Sequence, residues 1–212
     1  MIKVETLTLG PMANDTYIVT DEATGDVAVI DPSFRVRALL ESVASIKGKV
    51  KLILLTHRHF DHLLGAAALK ELTGAKTAIH ALDKDGLTDP EISRATFQGR
   101  LSGDVQTSLP ADILLADGDT LQLGETQITV LHTPGHTEGS VCFITGDSLF
   151  TGDTLFAGGI GRTDLPTGDS SAMCQSLRKI AALDGALAVY PGHEEATTLA
   201  AELANNPYLN DR

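Results

Sequence analysis

Cysteine is nearly absent from this chain: Cys142 and Cys174 are the only two in 212 residues, far apart and outside any C-x-x-C pattern. That excludes a disulfide framework, a cysteine-ligated zinc finger and a thioredoxin-like redox motif. Any metal must therefore be held by histidine and carboxylate. Both cysteines are expected to sit buried as small hydrophobes, since no nearby base marks either as a nucleophile. Basic residues are also scarce, with 16 Lys and Arg against 28 Asp and Glu, a formal net charge of −12. Such a balance opposes attraction to phosphate backbones and anionic lipid, and no basic, aromatic-studded stretch offsets it. Neither a nucleic-acid partner nor a membrane partner is expected. Long apolar runs are missing as well: Leu52 to Leu55 stops far short of the roughly 20 residues that cross a bilayer. Met1 to Glu5 carries neither a basic leader nor an apolar segment with a cleavage site, so a cytoplasmic location is expected. No fixed-period repeat and no Ser/Gly-rich or Pro-rich linker divides the chain, which is expected to form one domain over residues 1–212.

What remains is the alternation of a globular chain. Ile18 to Thr20 and Val27 to Ile30 read as strands around a turn at Gly25, and Asp31-Pro32-Ser33 opens a helix with Val36, Leu39, Leu40 and Val43 on one stripe. Leu52 to Leu55 is apolar on both faces, the pattern of a central strand. Leu63 to Leu72 reads as a helix closed by Gly74. Residues 81–111 are polar and broken by glycine and proline, as either a surface connection with some helix or a flap over a pocket. In the second half Gln127 to Val130, Val141 to Ile144 and Leu149-Phe150 read as strands. Ser171 to Leu183 reads as a helix with Met173, Leu177 and Ile180 on one side. Leu187 to Tyr190 reads as the last core strand and Glu194 to Ala204 as a final helix. Interspersed strands and helices predict an α/β fold with helices outside sheet. Tyr17 is expected in core or rim packing.

The chemistry concentrates in His57-Arg58-His59-Phe60-Asp61-His62. With 7 histidines in the chain, a random sequence of this composition would hold H-x-H-x-D-H about 6 × 10⁻⁴ times, so chance is a poor account of it. In an extended segment His57 and His59 face the same way and can share one ion. Asp61 and His62 fall where the chain turns into the next helix and more naturally serve a second ion. Other strand ends supply further donors: His136 after Thr133-Pro134-Gly135, Asp153 in Thr151-Gly152-Asp153-Thr154, and His193 after Tyr190-Pro191-Gly192. His80 and His132 lack ligand-like neighbours and read as hydrogen-bonded structural residues. Arg162 either clamps a substrate carboxylate or braces its own loop through Asp164 or Asp169, and bracing is the preferred reading.

Thr56 to His62 with His136, Asp153 and His193 resembles the metallo-β-lactamase superfamily, and Gly152 to Pro166 resembles its glyoxalase II-like, hydroxyacylglutathione hydrolase branch. Persulfide dioxygenases share a similar Gly-Arg-Thr-Asp segment. The resemblance implies an αβ/βα sandwich of two packed sheets with helices on the outer faces and the site along one edge. It implies that His57, His59 and His136 hold one metal, that Asp61, His62 and His193 hold the other, and that Asp153 bridges. His193 stands 19 residues before Arg212. The extra C-terminal helical domain with which longer glyoxalase II enzymes grip glutathione is therefore expected to be missing, as in shorter bacterial relatives.

The activity implied is hydrolysis of a thioester, S-lactoylglutathione or a similar 2-hydroxyacylglutathione. A hydroxide bridging two divalent ions would be the nucleophile and Asp61 a candidate to orient it, with zinc the first choice of metal and iron or manganese the alternatives. The competing implication is a persulfide dioxygenase with one iron on His57, His136 and Asp153. A β-lactamase or lactonase would use the same machinery on a cyclic amide or ester. A nuclease fits the acidic balance poorly, and a purely structural metal module would have closed coordination.

Overall fold

The period-two alternation of the strands decides the layering. The computed structural model describes residues 1–33, 36–46, 48–95 and 109–210. Six strands form the first sheet in chain order: β1 (Ile2–Leu9), β2 (Asn14–Asp21), β3 (Asp26–Ile30), β4 (Lys49–Leu54), β5 (Lys76–His80) and β6 (Ile113–Leu115). β1, β2 and β3 pair antiparallel, while β3 to β6 run parallel. Along β3, Val27 and Val29 face one way, and along β4 so do Val50 and Ile53. They join Leu39 and Val43 of α1 (Val36–Ser45) and Leu69 of α3 (Ala66–Thr73) in one apolar layer. The intervening Ala28, Ile30, Leu52 and Leu54 face the opposite way.

There they meet Leu123, Ile128, Val130, Phe143 and Phe150 of the second sheet. That sheet comprises β7 (Thr120–Leu123), β8 (Thr126–His132), β9 (Val141–Thr145), β10 (Ser148–Gly152), β13 (Ala188–Pro191) and β14 (Thr197–Thr198), in spatial order β14-β13-β10-β9-β8-β7. A short hairpin, β11 (Leu155–Phe156) and β12 (Gly159–Ile160), follows β10. Cys142, Leu149 and Val189 face outward beneath Met173, Leu177 and Ile180 of α4 (Ser170–Ala181) and Leu199 of α5 (Leu199–Asn205). α6 (Pro207–Asn210) completes that outer layer through Leu209. Helix, sheet, sheet, helix is the αβ/βα sandwich, and burial of three apolar layers is the main favourable term holding it. Among the described residues no helix is long and apolar enough to cross a membrane.

Several local expectations are corrected. The segment expected as one helix from Leu63 to Leu72 is instead a four-residue turn of helix, α2 (Phe60–Leu63), and a separate α3. The break is at Gly65, whose N–H leaves the helix to donate to the Pro32 carbonyl at 2.8 Å. A Cβ there would lie 2.9 Å from the Ser33 carbonyl oxygen, so only glycine admits this contact between the helix and the loop after β3. The final helix does not begin at Glu194, which has φ +69°. Thr197 pairs with Val189, Thr198 caps α5 by accepting from the Ala201 N–H at 3.2 Å, and the helix starts at Leu199. Cys142 is buried as expected, but Cys174 is exposed on α4, away from the Met173, Leu177 and Ile180 stripe. Of residues 81–111, a 3-10 turn spans Lys84–Leu87, while 96–108, including Gly99 and Gly103, lie outside the described residues. Tyr17 is in the core, its hydroxyl donating to the Pro191 carbonyl.

His80 and His132 stack, with ring centroids 4.1 Å apart and planes 10° from parallel. Nδ1 of His80 accepts from the Leu82 N–H at 3.3 Å, and Nε2 of His132 donates to the Glu138 carbonyl at 2.9 Å. Burial, with His132 alongside, lowers the His80 pKa to about 4. An unfolded histidine titrates near 6.5, so as pH falls from about 6.5 to about 4 the unfolded chain takes up a proton that the folded one refuses, and stability drops. Equilibrium unfolding at pH 7 and pH 5 is expected to show a smaller loss for His80→Phe than for the unaltered chain. An equal loss would refute this role.

Candidate metal centre

All seven predicted donors converge where β4, β8, β10 and β13 end. β4 runs into Thr56-His57, β8 into the turn bearing His136, β10 into Gly152-Asp153 and β13 into Gly192-His193. The donor atoms of His57, His59 and His136 lie within 4.8 Å of one another, and so do those of Asp61, His62 and His193. Asp153 stands between the two groups: Oδ1 is 3.3 Å from His62 Nε2, and Oδ2 is 3.4 Å from His136 Nε2 and 3.7 Å from His193 Nε2.

Hydrogen bonds behind the imidazoles fix which nitrogen faces inward. His136 Nδ1 donates to the Arg162 carbonyl at 2.8 Å and His193 Nδ1 to the Met12 carbonyl at 3.1 Å. His62 Nδ1 donates to Asp31 Oδ2 at 2.9 Å. The Thr56 hydroxyl gives its proton to Asp31 Oδ2 at 2.6 Å, so it accepts from His57 Nδ1 at 3.1 Å. Each leaves Nε2 aimed at the centre, the arrangement by which outer partners orient metal-binding histidines. His57 Nε2 and Asp153 Oδ1 are buried with no hydrogen-bond partner. His59 Nδ1 lies 2.8 Å from His136 Nε2. Orphaned buried acceptors in such a cage call for a cation, which would take the place of the His59–His136 hydrogen bond.

The electrostatics agree. Burial, together with neighbouring histidines, keeps His57 well below its ordinary pKa and puts His59 at about 3, so both imidazoles are neutral and available as ligands. Burial opposes charge on His62, but Asp153, Asp61 and Asp31 together outweigh it and hold its pKa well above the usual value. Burial likewise pulls Asp153 upward, and His62, His136 and His57 override it, leaving the carboxyl well below the usual range. The cage thus concentrates anionic donors that demand positive charge, and its residues fit a pair of divalent ions.

Sequence reading missed the supports. Asp31, read as a helix opener, has φ +48° and accepts from Thr56 N–H at 2.8 Å, the Thr56 hydroxyl and His62. The Asn14 amide reaches His62 Nε2 at 3.0 Å. Arg58, between the first two donors, is buried. Its guanidinium donates to Glu138 Oε1 at 3.2 Å, the Pro166 carbonyl at 3.2 Å and the Thr167 hydroxyl, and lies 3.8 Å from Asp83 Oδ1. It ties the donor loop to the loop that carries the Arg162 carbonyl. Arg58→Met keeps the stem but strips these bonds, with an expected loss of about 3 kcal/mol in chemical denaturation. A change below about 0.5 kcal/mol would remove the tie from the account. Arg162 itself braces its loop, with Nε and Nη2 on Asp164 at 2.6 and 2.7 Å, whereas Asp169 caps α4.

A cavity of about 640 Å³ opens onto His59, Asp61, His136, Asp153 and His193 and is walled by Met12, Phe60, Phe156, Ile160 and Leu165. A polar reacting centre with apolar walls suits a small molecule.

The metallo-β-lactamase superfamily pattern matches residues 9–193, and the chain belongs to that superfamily. It is 36 % identical over 207 residues to an uncharacterised Mycobacterium leprae protein, covering 94 % of this chain and 95 % of that one. It is 33 % identical over 202 residues to the hydroxyacylglutathione hydrolase GloC of Haemophilus influenzae, covering 94 % and 93 %. A hydroxyacylglutathione hydrolase of Cereibacter sphaeroides is 38 % identical over 188 residues, covering 87 % of this chain and 64 % of its own. Among solved structures, the BLEG-1 B3 metallo-β-lactamase superimposes with TM-score 0.90 at 33 % identity, covering 99 % and 100 %. ETHE1 from Myxococcus xanthus gives 0.79 at 30 %, covering 97 % and 83 %, and TTHA1623 in a di-iron-bound form gives 0.84 at 33 %, covering 97 % and 100 %. Superfamily and donor clusters together mark a metal-dependent enzyme of the metallo-hydrolase kind.

Proposed function

We propose that this chain hydrolyses a thioester of the 2-hydroxyacylglutathione class, with S-lactoylglutathione as the lead substrate. The reading rests on one observation above all: seven inward-facing donors form two sets that share Asp153. His57, His59 and His136 would hold one divalent ion and Asp61, His62 and His193 the other, with zinc the first choice and iron or manganese the alternatives. Such ions supply positive charge to the attacked carbonyl and bring the pKa of a water towards neutrality. The likeness to two hydroxyacylglutathione hydrolases supports the substrate class.

The chain's own part is orientation and exclusion. Asp61 is held below the usual carboxylate range: burial raises it, but His62 and a hydrogen bond from His193 prevail. It is thus an acceptor that orients the attacking water. The oxygen of that water joins the acyl carbon, the carbon–sulfur bond breaks, and the thiol leaves with a proton. No side-chain nucleophile is needed, and Cys142 is unsuited to the part, since burial pushes its thiol up to about 11.

A second reading, a persulfide dioxygenase with one iron on His57, His136 and Asp153, draws support from the similarity to ETHE1. Protein purified without added metal decides between them through elemental analysis, lactoylglutathione hydrolysis and oxygen uptake on glutathione persulfide. Two metals per chain with thioester cleavage are expected. One iron per chain with oxygen uptake and no cleavage would overturn the hydrolase reading.

A further inference from the structure

The β11–β12 hairpin gives the pocket Phe156, Gly158, Gly159 and Ile160. Only two residue pairs join its strands, too few to hold it in water. It is held from the C-terminal segment instead. Glu202 is 5 % exposed; Oε2 accepts from the Gly158 N–H at 2.8 Å and Oε1 from the Thr197 hydroxyl at 2.8 Å. Asn206 is fully buried, and its Nδ2 donates to the Gly159 carbonyl at 3.1 Å, the Phe156 carbonyl at 3.4 Å and Glu202 Oε2 at 2.9 Å. Its Oδ1 accepts from the Tyr208 N–H at 3.0 Å.

The group that grips the hairpin therefore also sets α6. Leu209 of that helix is buried, whereas Tyr208 is 55 % exposed and lines the pocket. An aromatic ring left in water on an anchored backbone gains contact and loses hydration when a ligand covers it. Met12, 42 % exposed, lines the same pocket, and its carbonyl is tied to His193.

We propose that Tyr208 contacts the thiol half of the substrate and sets specificity for it. This rests on the thioester reading, because a 2-hydroxyacyl group is small and the thiol half is what extends from the reacting centre to the rim. A peptide-like thiol presents flat amides and methylenes that pack on a phenol ring.

The test uses the full metal-loaded chain and S-methylglutathione, a thioether that cannot be hydrolysed, titrated calorimetrically. Tyr208→Ala is expected to weaken binding about fivefold, with Tyr208→Phe within about twofold of the unaltered chain. Metal content and melting midpoint should not move. KM for S-lactoylglutathione should rise in step while kcat stays within about twofold. Failure of the thioether to bind the unaltered chain, equal affinity in Tyr208→Ala, or metal loss in that variant would each overturn the assignment. Weakened thioether binding without any thioester cleavage in the unaltered chain would sink the hydrolase reading and leave Tyr208 in place.

Discussion

Asp153→Ala is expected to abolish metal binding and hydrolysis together. Its carboxylate lies within 3.3–3.7 Å of donors from both sets, His136 in one and His62 and His193 in the other. Removing it separates the sets and leaves each deficient in negative charge. Elemental analysis should find less than half the metal of the unaltered chain, and hydrolysis should fall about a thousandfold or more. Secondary structure should persist, because the three apolar layers do not involve this residue. Full activity in a metal-free Asp153→Ala protein would end the mechanism proposed above.

Gly192→Ala should have an effect of the same order by steric means alone. A Cβ at position 192 would sit 2.5 Å from Asp153 Oδ1 and 2.6 Å from His62 Cε1. Neither side chain can yield freely, since His62 is locked from behind by Asp31 and Asp153 belongs to both sets. One methyl group therefore displaces two donors at once, although no donor atom is deleted. Metal content is expected to drop by at least about half and activity about a hundredfold, the penalty for misplacing reacting groups by about an ångström. A fully loaded, fully active Gly192→Ala protein would mean that the cage is looser than its distances indicate.

The seven donors were legible because four lie within six residues and the rest follow strand ends in Gly- or Pro-set turns. Asp31 was not, since a lone aspartate before proline reads first as a turn or helix opener. Its role depends on a left-handed backbone and on neighbours 25 and 31 residues away. Arg58 was hidden for a similar reason: its partners stand 80, 108 and 109 positions further on. The helix boundaries failed where local propensity met tertiary contact. Glu194 to Ala196 favour helix by composition, yet pairing of Thr197 with Val189 postpones it. Between Leu63 and Leu72 the contact of Gly65 with the loop after β3 outweighed the helical pattern.

The division of donors between the two sheets also bears on how the protein matures. His57, His59, Asp61 and His62 follow β4 in the first sheet, while His136, Asp153 and His193 follow strands of the second. A nascent chain that has completed only the first sheet holds one imidazole-rich loop and no partner for it. On the assignment proposed above, the first set would be complete only once His136 is made, and the second only once His193 is made. Ions held there would act as a clasp between the two halves, and chelation should loosen their docking before either sheet itself melts.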